Sequence, residues 1–302
     1  MTEIVVLHYA EVAAPNWALL RAAAHRRGVR LTSWAPHRLQ VFIDAAGSVP
    51  YYDGAPRQPA VILHRTVAPF EGIVAPALDL WAGRGVCVLN EPGAAYRARD
   101  KLATTRLLTD AGVPVVPTLG FADPGQARWV DFGDSRIVVK PAHGLQGMGI
   151  EAYASRADLL DRWHPADDDR RGHTLREHYL AQPLVGGGGT DLRAFVVGGT
   201  CVALIRRSAR PGELRANLAL GATATPLPPT HPGARVATAA TAACGLDYGG
   251  VDLIEDADGT LRVLEVDAWA GFAGVTAATG ADVAGAILDL ALARRRKEPA
   301  PT

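Results

Sequence analysis

At 302 residues the chain exceeds one ordinary domain, so two or three packed units with substantial cores are expected. A hydrophobic fraction of 48% with 21% charged residues describes a globular chain, and a formal net charge of +0 argues against non-specific nucleic-acid binding, which needs a basic surplus. Three scattered cysteines, Cys87, Cys201 and Cys244, form no C-x-x-C, so neither a zinc site nor a disulfide framework is indicated.

The opening "MTEIVVLHYAE" carries an acidic residue at once and no long apolar run, which is unlike a signal peptide. No apolar run approaches the roughly 18 residues of a membrane span, so a cytoplasmic protein with no membrane partner is the expectation. Within the first ninety residues, "IVVLH" (4–8), "AVILHR" (60–65) and "VCVLN" (86–90) read as buried strands. Helical stretches at 17–28, closing on Gly28, and at about 74–83 separate them, a βαβ pattern that implies a small parallel sheet. No G-x-G-x-x-G follows the first strand, so a dinucleotide fingerprint is missing.

From Arg99 the texture changes. "RDKLATTRLLTDAG" is a helix with Leu102, Leu107 and Leu108 on one side and Gly112 as its stop, and "RIVVK" (136–140) is a strand. "HPADDDRRGH" (164–173) reads as an exposed turn, and "TLREHYLAQPLV" (174–185) ends in a strand running into "GGGG" (186–189). "DLRAFVV" and "CVALIRR", joined by "GGT", form a hairpin. A proline-rich loop (225–233), a helix (234–245), the strands "GVDLIED" and "TLRVLEVD", and a last helix (281–296) complete the chain.

Three groups of residues carry possible chemistry. In "VVKPAHGLQGMGIEAY" a glycine loop between two strands is either a plain hairpin turn or a flap whose backbone N–H groups approach phosphate. Lys140 beside it suits a phosphate, and lysine is scarce here, occurring only at Lys101, Lys140 and Lys297. Asp252 in "GGVDLIE" and Glu265 and Asp267 in "LEVD" put hard oxygens on neighbouring strands. Glu265 and Asp267 point the same way, so they repel unless a cation lies between them. Magnesium with a substrate phosphate would relieve that repulsion, whereas a surface strand pair would leave the acids solvated. Arg193, Arg206, Arg207 and Arg215, with Asn217, supply positive charge, and adjacent Arg206 and Arg207 cannot both face one cleft. No G-x-S-x-G or H-E-x-x-H is present.

In order and spacing, "RDKLATTRLL", "VVK" with "GLQGMG", "QPLV", "DLRAFVV", "RRSARPGELRANLALG", "GVDLI" and "LEVD" resemble the ATP-grasp superfamily, within it the RimK-type carboxylate–amine ligases. The resemblance implies an α/β chain with α+β elements. Its parts would be an N-terminal βαβ pre-ATP-grasp domain (1–98), a central lid subdomain (99–185) and a C-terminal antiparallel-sheet subdomain (186–302). It implies ATP and magnesium, two ions with manganese able to substitute, and small-molecule carboxylate and amine substrates; a homo-oligomer is compatible with it. By the same resemblance Lys101 and Lys140 match nucleotide-phosphate lysines, and Gly144, Gln146, Gly147 and Gly149 match a lid over the phosphates. Gln182, Pro183 and Leu184 match an adenine hinge, with the contact running through the Pro183 C=O and the Leu184 N–H because proline has no N–H to donate. Asp191 matches an acid on the ribose or phosphate side, Arg193 and Arg207 match phosphate-facing arginines, and Arg215 and Asn217 a stretch near the reacting acyl group. Asp252, Glu265 and Asp267 match magnesium ligands, the last standing where most relatives have Asn.

The chemistry implied is amide formation through an acyl-phosphate, on a small amino-acid-like or peptide substrate. Ring closure within one amino-acid-derived molecule and an ATP-binding module without turnover are the alternatives. Substrate contacts are expected from strand ends near His8, Tyr9, Glu11, Arg65 and Thr66. The loop "AWAGF" departs from the small-residue and proline pattern of the family, and Trp269 and Phe272 either reach the acceptor pocket or pack the C-terminal helix.

Overall fold

The computed structural model describes residues 2–8, 14–65, 71–122, 124–143, 149–163, 178–186, 189–212, 216, 218 and 221–297. Its first ninety residues run β1 (Glu3–Leu7), α1 (Ala14–Arg26), β2 (Arg30–Trp34), β3 (Leu39–Asp44), β4 (Gly47–Tyr52), β5 (Ala55–Pro56), β6 (Val61–His64), α2 (Glu71–Ala82) and β7 (Cys87–Leu89). Runs of Ile, Val and Leu bury β1 and β6 on both faces, and the strands pair in parallel in the order β2-β1-β6-β7. The helix expected at 74–83 begins earlier, at Glu71. Strands β3 to β5 form a separate antiparallel sheet that the sequence reading omits. Its first turn is set by Asp44, whose side chain accepts from the N–H groups of Ala46 and Gly47, a local signal in "DAAG". Trp34 stacks on Tyr52 at 4.2 Å and ties this small sheet to the parallel one.

Two carboxylate caps organise the next segment. Glu91 accepts from the N–H groups of Gly93 and Ala94 to start α3 (Pro92–Arg99), and Asp100 does the same with Leu102 and Ala103 for α4 (Lys101–Asp110). Lys101 is therefore the first residue of a helix. That helix stops at Gly112, whose φ of 70° is left-handed. Thr104 and Leu108, one turn apart, face inward, whereas Leu102 is 40% exposed and lies over Gly120. A 3.6-residue period puts positions 104 and 108, not 102, on the buried stripe. Then come β8 (Leu119–Phe121), β9 (Ile137–Pro141), β10 (Glu151–Tyr153), α5 (Arg156–Arg162) and β11 (Tyr179–Pro183), an antiparallel sheet in the order β10-β9-β11-β8. The exposed turn expected at 164–173 lies outside the described residues.

The last third holds β12 (Thr190–Val197), β13 (Thr200–Ser208), β14 (Thr223–Pro226), α6 (Pro232–Ala243), β15 (Tyr248–Glu255), β16 (Leu261–Asp267), α7 (Ala273–Thr279) and α8 (Val283–Lys297). The β12–β13 hairpin turns on Gly198 and Gly199, both at positive φ, which the twist of a two-residue hairpin demands. The five strands order as β14-β13-β12-β15-β16, all antiparallel. Leu192, Ala194, Val196, Val251, Leu253 and Val263 pack against α3, α4 and α6 on one face. Alternation sends Asp191, Arg193 and Phe195 to the other face. There Phe195, Ile205 and Tyr248 share a core with β1, α1 and α8 through Ile4, Leu20, Ile287 and Leu288. Each of the spans 1–98, 99–185 and 186–302 carries one principal sheet, while α3 and α4 lie on the C-terminal sheet and α8 on α1. Among the described residues no single helix is long and apolar enough to cross a membrane.

Candidate active site

The face of the C-terminal sheet that begins as apolar core ends as a lattice of charge. Across β12 and β13, Asp191 stands opposite Arg207, and across β12 and β15, Arg193 stands opposite Asp252. Across β15 and β16, Asp252 stands opposite Glu265, and Asp267 opposite Gly250. The contacts follow the register. Arg207 donates Nε and Nη2 to the two oxygens of Asp191 at 2.6 and 2.7 Å, a bidentate pair, and its Nη2 lies 3.1 Å from Asp252 Oδ2. Arg193 Nη1 donates to Asp252 Oδ1 at 2.7 Å, and its Nη2 lies 3.8 Å from Asp267 Oδ2. Arg206 is on the opposite face, half-exposed and 3.7 Å from Glu255 Oε2.

Two lysines reach the same lattice from other elements. Lys101 Nζ lies 3.2 Å from Glu265 Oε1. Its backbone N–H donates to the Ala142 carbonyl, which brings the start of α4 to the end of β9. Lys140 is buried at that strand end. Burial holds its ammonium down to about 8, with Lys101 pushing the same way and Glu265 and Asp252 opposing. Gly149, at φ 70°, closes against Pro141, where a Cβ would come within 2.8 Å of the Pro141 ring. Gly144, Gln146 and Gly147 lie outside the described residues, as do Arg215, Asn217, Tyr9, Glu11 and Thr66.

Three carboxylates of the lattice, Asp191, Asp252 and Asp267, are tuned by burial against their partners. Burial works to raise Asp252, but Arg193 and Arg207 together pull harder and hold it below the usual carboxylate range. Asp191 is pushed up to about 6 by burial and by Asp252, against its bond with Arg207. Asp267 is also raised, by burial first, with Glu265 adding and Arg193 opposing. The repulsion between Glu265 and Asp267 is thus answered within the protein: Lys101 takes one and Arg193 the other. Among the described residues no three His, Cys, Asp or Glu side chains close into a metal-holding group. The donor chemistry nevertheless suits a hard cation, because three carboxylates stand on adjacent strands and Glu265 is 39% exposed.

The expected adenine hinge needs one correction. Gln182 is buried and its Nε2 donates to Thr118 Oγ1 at 2.8 Å. The Leu184 N–H donates to the Arg136 carbonyl at 2.7 Å, because the β9–β11 ladder continues one residue past Pro183. That N–H is spent within the sheet and is not open to a ligand. Two residues of the site escaped the sequence reading. Gly250 leaves the space in which Arg193 lies: a Cβ there would meet Arg193 Nη2 at 2.8 Å and Ala270 Cβ at 2.6 Å. Its signal is the glycine pair inside a strand pattern. Buried Asn90 donates to the carbonyls of Tyr248 and Ala268 and accepts from the N–H groups of Asp247 and Tyr248. It fastens the end of β7 to the C-terminal sheet, and no local pattern announces it.

Three principal sheets, the last carrying a face of paired acids and bases, define the class of fold. Among solved structures, the ATP-grasp ligase PsnB complexed with minimal precursor superposes with a TM-score of 0.74 at 23% identity, covering 97% of this chain and 99% of that one, so the fold is ATP-grasp. The model of the RimK-like ATP-grasp domain matches residues 98–291. A probable alpha-L-glutamate ligase of Alkalilimnicola ehrlichii is 37% identical over 209 residues, 67% of this chain and 66% of that protein. The ribosomal protein bS6–L-glutamate ligase of Salmonella schwarzengrund is 34% identical over 278 residues, 89% of each chain. The chain belongs to the RimK-like ATP-grasp family. Its match spans about two thirds of the length of the probable glutamate ligases.

Proposed function

We propose that this chain is an ATP-dependent carboxylate–amine ligase acting on a small amino-acid-like or peptide substrate. A carboxylate oxygen attacks the γ-phosphorus of ATP, giving an acyl-phosphate and ADP. An amine nitrogen then attacks the acyl carbon, phosphate leaves, the nitrogen sheds a proton, and an amide remains. The observation that carries this reading is the charge balance of the lattice. Four acids (Asp191, Asp252, Glu265, Asp267) face four bases (Lys101, Lys140, Arg193, Arg207). Phosphoryl transfer to a carboxylate asks for positioning and neutralisation of charge rather than a covalent catalyst.

A balanced lattice resists a lone cation or a lone polyphosphate, but two Mg2+ ions and one fully ionised ATP sum to zero. Asp252, Glu265 and Asp267 would hold the metal, which supplies charge neutralisation at the phosphates. Lys101 and Lys140 would then serve the phosphate oxygens, and Arg193 and Arg207 the transferring group. The glutamate-ligase relatives support an amino acid as the amine.

Incubation with ATP, magnesium and mixtures of amino acids and short peptides, scored for phosphate release and for an amide product by mass, tests the reading. Phosphate release with a new amide is expected. ATP binding without phosphate release from any mixture would sink it, and a phosphorylated product that persists when amines are added would make the chain a kinase.

A further inference from the structure

Immediately beyond Asp267 the chain enters the loop 268–272, where Phe272 and Trp269 part company. Phe272 is fully buried against Phe195 and packs the core. Trp269 instead leans into the carboxyl end of the parallel sheet, where open α/β sheets present ligands. It meets His64 at 5.3 Å and Tyr96 at 5.6 Å, both edge-to-face, while His64 and Tyr96 lie 5.5 Å apart. Three rings from β6, α3 and the loop after β16 thus form one box. Arg65, next to His64, donates Nη2 to the Trp269 and Ala270 carbonyls at 3.0 and 2.7 Å, and its guanidinium lies over the Phe272 ring.

What marks the box as more than packing is its unspent polarity. Among the described residues Trp269 Nε1, Tyr96 Oη and Arg65 Nη1 are buried and have no partner in hydrogen-bonding geometry, although the Arg65 guanidinium also interacts with the Tyr248 hydroxyl. An unsatisfied buried donor is costly and uncommon, and three in one contiguous cluster call for a partner. The indole and guanidinium groups can only donate, and the phenol can donate, so the partner must be rich in acceptors. Charges of both signs lie nearby, with Asp79 acting on Tyr96 and Arg65 supplying the positive end. Arg65 acts electrostatically on Asp267, so its positive charge reaches the edge of the lattice. The Trp269 backbone N–H is anchored to Asp267 Oδ1 at 2.9 Å, which holds the box beside the carboxylate lattice.

We infer that Arg65, Tyr96 and Trp269 form a subsite for the carboxylate of the amine-bearing substrate, an L-amino acid or the end of a peptide. This rests on the ligase reading above. The carboxylate sits between guanidinium, indole N–H and phenol O–H, and the aromatic walls shield it from water. The amine is thereby directed past Asp267 toward the acyl-phosphate, while the lysine side of the lattice is left to the nucleotide.

The test measures binding of each of the twenty L-amino acids and of its α-carboxamide to the full chain with ADP and magnesium present, by ligand-observed saturation-transfer NMR. Wild type is compared with Trp269→Phe and Tyr96→Phe, which keep the rings and remove one donor each. At least one amino acid should bind. Its carboxamide should bind about tenfold more weakly, and each variant should weaken the acid about tenfold, as loss of a hydrogen bond to a charged group implies. ADP affinity should stay within twofold. An acid that binds both variants as it binds wild type, a carboxamide that binds equally well, or the absence of any amino-acid binding overturns the subsite. Phosphate release on the same preparations separates the two readings. Release unaffected by either variant removes the subsite and leaves the ligase, whereas variant-sensitive binding without release from any mixture removes the ligase and leaves the subsite.

Discussion

Replacing Lys140 by methionine should make the apo protein more stable. Lys140 is buried at the end of β9, and its ammonium is held down to about 8 from 10.5, chiefly by burial. At 1.36 kcal/mol per pH unit, that gap amounts to about 3 kcal/mol of stability forgone while the group is charged. The sign follows from proton counting. Below pH 8 the lysine is charged in both folded and unfolded chains and the full penalty applies. Between 8 and 10.5 the unfolded chain binds more protons than the folded one, so wild-type stability rises with pH across that window. Lys140→Met should therefore raise the apo Tm by several degrees at pH 7, and the advantage should shrink through pH 8 to 10.5 and then vanish. Scanning calorimetry of both proteins at pH 7 and pH 10, without nucleotide, measures it. The same variant should bind MgATP at least tenfold more weakly by titration calorimetry. A lower Tm at pH 7 would refute the reasoning, since it would mean that attraction to Glu265 and Asp252 outweighs the loss of solvation.

Asp267→Asn should remain active but need several times more magnesium for half-maximal phosphate release, because one formal charge leaves the metal side of the lattice; an unchanged magnesium curve would show that Asp267 is no ligand. Arg207→Met strands Asp191 and weakens the hold on Asp252, so urea unfolding at pH 7 should show a loss of about 3–5 kcal/mol, with Asp191→Asn restoring part of it. Gly250→Ala should push Arg193 off its seat, cutting phosphate release at least tenfold at a stability cost of about 1–3 kcal/mol; full activity would show that Arg193 moves without consequence.

Much of the site was legible because it follows local periods. The two-residue period of a strand is enough to place Glu265 with Asp267 and Asp191 with Arg193 on common faces, and to send Arg206 and Arg207 apart. The scarcity of lysine drew attention to Lys101 and Lys140 before any contact was known. The Asp100 cap that puts Lys101 at a helix start went unread, although an aspartate there is an ordinary capping signal. The small β3–β5 sheet was missed although its Asp44 turn was in plain view. The Leu184 N–H was misassigned because the length of a strand ladder depends on its partner, here reaching Arg136 just before β9, and residue 184 carries no sign of it.

By itself, then, the sequence determined the types of element, the faces that carry charge and the kinds of residue able to handle phosphate, since all of these obey rules that act over a few positions. Tertiary structure decided the pairing. Register alone chose Arg193 for Asp252 and Arg207 for Asp191, across separations of 59 and 16 residues. It also set Asp267 opposite Gly250, the one side chain small enough to leave room for Arg193. Trp269, Tyr96 and Arg65 come from three distant segments and met only when the C-terminal sheet packed against the parallel one. Such contacts are fixed by long-range packing, which closes loops far longer than any sequence period can reach.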